Sequence, residues 1–283
     1  MRKTRRLRRL GIACVALAAL GGLAVIGFVK GWHVHRLTPA ELAALLQPGM
    51  QIVRPDGPGP FPAVIQFHGC GGRHAAEATW AAFLRDRGYV AVSVDSLGPR
   101  HISAVEAPKV CQGRTLWGRE RAGDVLVALD AVRKLPYVDP QRIVLMGWSH
   151  GGWSIMDLLA LDPPRQLPTN LTAAPDGGLA GVAGVILVYP YLGFASIGPP
   201  IAQKVPILML LSGADTVVPT PAALAVATRL RSDGFSVDTH VYAGKDHCWD
   251  QTDLPPTSTL VYDAAVTADA HDRVAAWLAR TVR

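Results

Sequence analysis

The pentapeptide Gly147-Trp148-Ser149-His150-Gly151 restricts how this chain can fold more than any other feature. The apolar run Ile143–Met146 before it reads as a strand, and the mostly apolar Gly152–Ala160 after it reads as a helix. A strand that turns into a helix within so few residues holds the central serine in strained backbone geometry. Side chains at 147 and 151 would collide with neighbouring chain, so glycine is required at both positions. The serine hydroxyl is left exposed at a helix N-terminus, where the dipole favours developing negative charge. A Gly-x-Ser-x-Gly by itself is a common turn; the flanking strand and helix separate this one from that background.

The same alternation runs through the rest of the chain. Ala63–Phe67, Tyr89–Val94, Gly184–Val188, Val205–Leu211 and Val237–Val241 read as strands. Trp80, Phe83 and Leu84 mark a helix stopped at Gly88. Ala122, Val125, Leu126, Leu129 and Val132 share one face of a helix ended by Pro136. Thr220 with Pro221 reads as a cap and first turn of a helix that stops near Gly234, and Val274, Trp277 and Leu278 form the inner face of a C-terminal helix. Near-continuous apolar strands separated by amphipathic helices imply an α/β fold, a mostly parallel sheet covered on both faces. In such sheets ligands bind beyond the carboxyl ends of the strands, so the loops after Phe67, Val94, Met146, Leu211 and Val241 are expected to converge.

Those loops carry a consistent chemistry. A serine hydroxyl needs a base, and the base needs a group to fix its tautomer. The loop after Leu211, Ser212–Pro219, has Asp215 as its only acid, and the loop after Val241 has His247 as its only histidine. The expected catalytic set is Ser149, Asp215 and His247. Asp246 and Asp250 are alternative acids, but an acid so near the histidine in sequence rarely reaches its far ring nitrogen. His240 is expected on the sheet surface, and His74, His101 and His271 on the protein surface. His68-Gly69-Cys70-Gly71-Gly72 follows the strand Ala63–Phe67 as a glycine-rich loop whose backbone can approach a substrate closely. The backbone N–H groups of Cys70 and His150 are the expected oxyanion donors.

Charge sets the N-terminus apart. Residues 1–10 hold six basic groups and no acid. Removing those six from the 28 basic residues leaves 22, equal to the 22 acidic ones. A basic excess confined to one tail points to membrane targeting; nucleic-acid binding would need a basic face on the folded domain. Gly11–Val29 is a run of 19 residues without a charge, roughly 28 Å as a helix and near a bilayer's apolar thickness. Its length and the lack of a small-x-small site after it fit an uncleaved signal anchor better than a cleaved signal peptide. The domain would then face the periplasmic or extracellular side, with secretion after cleavage as the alternative. The expected organisation is 1–10 cytoplasmic tail, 11–29 anchor, 30–62 linker and lead-in segment with a helix at Pro39–Leu46 and a strand at Met50–Val53, and 63–283 catalytic domain.

The four cysteines, Cys14, Cys70, Cys111 and Cys248, have no zinc spacing, and no metal is expected. Export would allow a disulfide. Cys70–Cys111 ranks first because both loops belong at the carboxyl edge of the sheet; free thiols rank second and a pairing with Cys248 third.

The segments Phe67–Gly72, Asp95–Arg100 and Gly147–Gly152, with Asp215 and then His247, resemble the dienelactone hydrolase-related branch of the α/β hydrolases over roughly residues 60–283. The resemblance implies hydrolysis of a small carboxylic ester or lactone, without cofactor or metal. The chain departs from dienelactone hydrolases proper in having Ser149 where those use cysteine, which turns the expectation toward a broader esterase or lactonase. No large lid domain fits between Val188 and Val205. Arg100 and Trp148 are candidate substrate contacts; Arg100 reads either as a partner for the acidic substrates the family implies or as a structural arginine. A peptidase or acyltransferase on the same residues, or a non-catalytic envelope protein, are the other functional classes.

Overall fold

In the computed structural model, residues 21, 22, 27 and 34–282 are described. The expected basic tail and most of the expected anchor lie outside them. Among the described residues no helix is long and apolar enough to cross a membrane.

Among the described residues seven strands form one sheet: β1 Met50–Val53, β2 Phe61–Phe67, β3 Val90–Val94, β4 Val138–Trp148, β5 Val182–Val188, β6 Ile207–Ser212 and β7 Val237–Tyr242. Their order is β1-β3-β2-β4-β5-β6-β7. Only β1 is antiparallel to its neighbour; the other pairings are parallel. The helices are α1 Pro39–Leu46, α2 Ala75–Arg85, α3 Ala107–Cys111, α4 Gly118–Arg133, α5 His150–Leu161, α6 Thr220–Ser232 and α7 Ala264–Thr281.

The central strands are apolar on both faces because both are covered. Ile65, Leu145, Leu187 and Met209 share a core with Leu42, Leu129, Leu159 and Leu230, so α1, α4, α5 and α6 cover one face. The alternate residues Val64, Met146, Ile186 and Leu210 pack with Trp80, Leu84, Val274 and Trp277 of α2 and α7 on the other. A third, small cluster of Leu97, Ala107, Val110 and Leu116 gives the long segment after β3 its own core, with Cys70 packed against it. That segment contains α3, which has no periodic signal in the sequence.

Three sequence expectations change. The lead-in segment is part of the folded body: Met50–Val53 pairs with Ala91–Val94, and Leu42 and Leu46 are fully buried. Thr220 is the first helical residue, with Pro219 at the cap, and its hydroxyl donates instead to the Ser212 carbonyl at 2.6 Å. His271 is only partly exposed. Its ring packs 4.1 Å from Trp80 and 4.2 Å from Phe83, because α7 lays it against α2.

Candidate active site

The turn between β4 and α5 shows why its glycines are needed. Ser149 has φ 49° and ψ −111°, a conformation that costs on the order of 1–3 kcal/mol. A Cβ on Gly147 would lie 2.6 Å from the Gly151 carbonyl carbon, and one on Gly151 would overlap the Phe67 carbonyl oxygen. The turn is pinned to the next strand: Ser149 N–H donates to Val188 O at 2.9 Å, and Tyr191 N–H donates to Ser149 O at 3.0 Å.

The loops after β6 and β7 bring Asp215 and His247 together. His247 Nδ1–H donates to Asp215 Oδ2 at 2.8 Å, and both side chains are buried. That bond assigns Nδ1 as the donor and leaves Nε2 free on the side away from Asp215. Asp215 is itself held by the N–H groups of Val217 and Val218 at 2.9 and 2.8 Å. Asp246 bonds Thr216 and the His247 backbone N–H, so it ties the two loops together and leaves the imidazole to Asp215. Between Ser149 Oγ and His247, both described residues, no hydrogen bond is made; such bonds commonly tighten only when substrate is bound. Tyr189, directly after β5, links the two sides, with its ring centroid 4.4 Å from that of His247.

Asp250 is not the acid for His247 but the hub beneath it. Its carboxylate accepts from Trp80 Nε1 at 2.9 Å, Trp148 Nε1 at 2.7 Å and Tyr189 OH at 2.5 Å. Burial raises its pKa, and the three donors partly oppose that rise. This bonding also corrects the reading of Trp148, which is fully buried in the sheet layer and turned away from the cavity at Ser149.

The glycine-rich loop packs over the serine: a Cβ on Gly69 would be 3.6 Å from Ser149 Cβ. Among the described residues, neither the Cys70 nor the His150 N–H donates to another group of the chain. Beneath them lies Arg121, which is fully buried and which sequence reading missed. It donates to His68 O at 2.7 Å, to Ser96 Oγ at 2.9 Å and to His150 Nδ1 at 3.3 Å. Burial takes its pKa down to about 10. Burial first, and the Arg121 charge second, lower His68 to about 4 and His150 well below its usual range. His68 is therefore a neutral strut, with Nε2 accepting from Ser96 N–H at 3.0 Å and Nδ1 donating to Gly69 O at 2.6 Å. The signal for Arg121 was a charge on the helical face shared by Val125, Ala128 and Val132, where only a paired or hydrogen-bonded charge is tolerated.

Arg100 is a structural residue. Its guanidinium makes a two-pronged pair with buried Asp124 at 2.7 and 2.9 Å and donates to Ser96 O at 2.8 Å, fastening the loop after β3 to α4. It does not line the cavity that Ser149 lines. A disulfide joins Cys70 to Cys111, and Cys248 is free. Burial, with nearby carboxylates, pushes the Cys248 thiol up, which makes it a poor nucleophile. Ser149, Cys70 and Cys111 line one cavity of about 210 Å³ together with Trp117, Trp153 and Tyr191. No group of three or more metal-ligating side chains occurs among the described residues.

Comparison with known families agrees with this geometry. Residues 76–165 match the prolyl oligopeptidase family, and residues 169–282 match the dienelactone hydrolase family. The two matches together support a serine hydrolase related to the dienelactone hydrolases, with an α/β-hydrolase fold. Esterase 2 of Thermogutta terrifontis superimposes with a TM-score of 0.63 over 82% of this chain and 88% of its own, at 19% identity, a likeness of fold. A protein of Grosmannia clavigera named "Probable dipeptidyl-aminopeptidase B" is 28% identical over 56% of this chain. One from Talaromyces stipitatus with the same name is 24% identical over 68%. The chain spans only 17% and 21% of those two relatives' lengths.

Proposed function

We propose that this serine hydrolase cleaves a small carboxylic ester or lactone through an acyl-enzyme on Ser149. The observation that carries the reading is the bonded Asp215–His247 pair, with Nε2 left free, set beside a strained serine that lines an apolar cavity. Ser149 Oγ attacks the ester carbonyl while His247 Nε2 takes its proton. Asp215 stabilises the imidazolium, and the Cys70 and His150 N–H groups receive the oxyanion. His247 then protonates the leaving alkoxide. Water, losing its proton to the same nitrogen, releases the acid and restores the serine. Among the described residues the cysteine sulfurs take no part, since Cys70 and Cys111 are joined and Cys248 is held protonated.

Ser149→Ala is expected to lower ester hydrolysis by about 10³-fold or more and to abolish covalent labelling by a fluorophosphonate. Undiminished labelling of the alanine variant would remove the assignment. The prolyl oligopeptidase match and the aminopeptidase relatives favour a peptidase as the second reading. The lining of the cavity counts against an aminopeptidase, because no Asp or Glu there would hold a peptide's terminal ammonium. Release of an amine from an aminoacyl anilide, faster than alcohol from the matching ester, would reverse the preference.

The proposed setting is a membrane surface, with Gly11–Val29 as an anchor and the domain on the non-cytoplasmic side. Its support is the basic tail before an uncharged run, together with a disulfide suited to an oxidising compartment. The full-length chain should stay with membranes after an alkaline carbonate wash. A mature N-terminus beyond Val29 would show secretion instead.

A further inference from the structure

The cavity beside Ser149 is more specialised than ester hydrolysis requires. One side of it is a continuous run of aromatic rings: Trp117 and Trp153 have centroids 6.3 Å apart, and Trp153 and Tyr191 have centroids 5.0 Å apart. Phe194, 85% exposed, stands in the same lining as an apolar ring with no partner in the core. The Trp153 plane is fixed. His150 packs 4.9 Å from it, and Gly118 lies so close that a Cβ there would overlap the indole nitrogen. Tyr191 is fixed too, by its N–H to Ser149 O and by its hydroxyl, which donates to Phe194 O at 3.0 Å. The Cys70–Cys111 disulfide completes the lining, and no Asp, Glu, Lys or Arg contributes to it.

We propose that this cavity receives the acyl group of the substrate and selects an uncharged aromatic one, of the benzoyl or phenylacetyl kind. The proposal rests on Ser149 as the nucleophile. Volume supports it: an apolar cavity of roughly 150 Å³ takes up benzene, and about 210 Å³ leaves room for the attached carbonyl. A dodecanoyl chain would overrun it. Ring chemistry supports it as well, because a planar ring gains edge-to-face and offset contacts with Trp153 and Tyr191 that a saturated ring of the same size cannot make. Charge excludes the acidic acyl groups, since neither Arg100, which is paired with Asp124, nor any other Arg or Lys lines the cavity.

The test compares four 4-nitrophenyl esters on the full chain: benzoate, cyclohexanecarboxylate, the monoester of terephthalate, and acetate as the reference. Benzoate is expected to exceed cyclohexanecarboxylate in kcat/KM by roughly 3- to 10-fold. It should exceed the charged terephthalate monoester by about 100-fold or more. In Tyr191→Leu and in Trp153→Leu the benzoate preference should fall toward unity. Each rate is divided by the same variant's rate on acetate, so a loss of folded protein cancels. Equal rates on benzoate and cyclohexanecarboxylate, or a terephthalate monoester cleaved as fast as benzoate, would overturn the inference while labelling of Ser149 left the hydrolase reading standing. No cleavage of any ester and no labelling would remove both.

Discussion

Replacing Asp250 tests whether the buried hub beneath the histidine loop holds the site together. Three donors from three parts of the chain end on this carboxylate: Trp80 from α2, Trp148 from the end of β4 and Tyr189 from the end of β5. Asp250→Leu leaves all three buried without an acceptor, at about 1–3 kcal/mol each. Part of that loss is offset because the variant no longer buries a carboxylate, so the expected net loss is about 2–5 kcal/mol. Asp250→Asn keeps an oxygen for the two indoles, and its amide can donate to the Tyr189 hydroxyl, so its loss should stay within about 1–2 kcal/mol. A sign follows from the raised pKa of Asp250 in the folded state. The folded protein holds that proton to higher pH than the unfolded chain, so burying the carboxyl costs nothing below about pH 4 and costs progressively more above it. Relative to the Asn variant, the unmutated chain should therefore lose stability as pH rises from that point. Urea unfolding of the three proteins at pH 4.5, 6 and 7.5 measures both effects. A Leu variant as stable as the Asn variant at every pH would show that the three donors find other partners and would refute the hub.

Three further outcomes follow from the packing. Gly151→Ala should prevent folding or cost at least about 3 kcal/mol, because the new methyl overlaps the Phe67 carbonyl; soluble, stable and active protein would contradict the close approach of β2 to the turn. Reducing the Cys70–Cys111 disulfide, or replacing both cysteines with serine, should cost roughly 3–4 kcal/mol for a bridge spanning 41 positions, read as a lowered urea midpoint. Glu77 is buried and burial takes its carboxyl up to about 8. The folded state therefore keeps a proton that the unfolded chain releases near pH 4.5, and the cost of deprotonating it grows between those values by up to about 1.4 kcal/mol per pH unit. Glu77→Gln should flatten the fall in stability over that window, and an unchanged slope would count against the burial.

What the sequence disclosed is what depends on local pattern. The turn at Ser149 was readable because two apolar runs and two glycines are contiguous. Asp215 and His247 were readable because each stands alone in its loop at a strand's carboxyl end. Cys70–Cys111 ranked first because parallel topology puts both loops on one edge, and the structure joins that pair. Trp148 and His271 were misread, and the two readings of Arg100 stayed open until its structural one proved right, for one shared reason: each is placed by a partner far away in sequence. Arg100 is placed by Asp124, Trp148 by Asp250, and His271 by Trp80 and Phe83. No periodicity reports such pairs. The same holds for the cavity lining, whose rings come from the N-cap of α4, from α5 and from the loop after β5.

These long-range partners divide the site into two systems with different tolerance to change. The reacting groups are set by strand ends: Ser149 by β4, Asp215 by β6 and His247 by β7, with β5 between them supplying Val188 O and Tyr189. Shifting Ser149 or Asp215 means shifting the register of β4 or β6, which residues buried on both faces fix, and His247 at the end of the edge strand β7 is tied to Asp215. The walls of the cavity are set by loops, and those loops are fastened from outside the sheet. The disulfide fastens the loop after β2 to α3, and the Arg100–Asp124 pair fastens the loop after β3 to α4. Arg121 meets both systems, since one guanidinium reaches His68 O in the glycine-rich loop and His150 on the helix that follows the serine. A substitution in the wall rings can therefore alter which acyl group fits without moving the serine. A substitution at Arg121 alters the loop and the helix end that carry the two N–H groups proposed as oxyanion donors, and on that proposal it reaches every substrate alike.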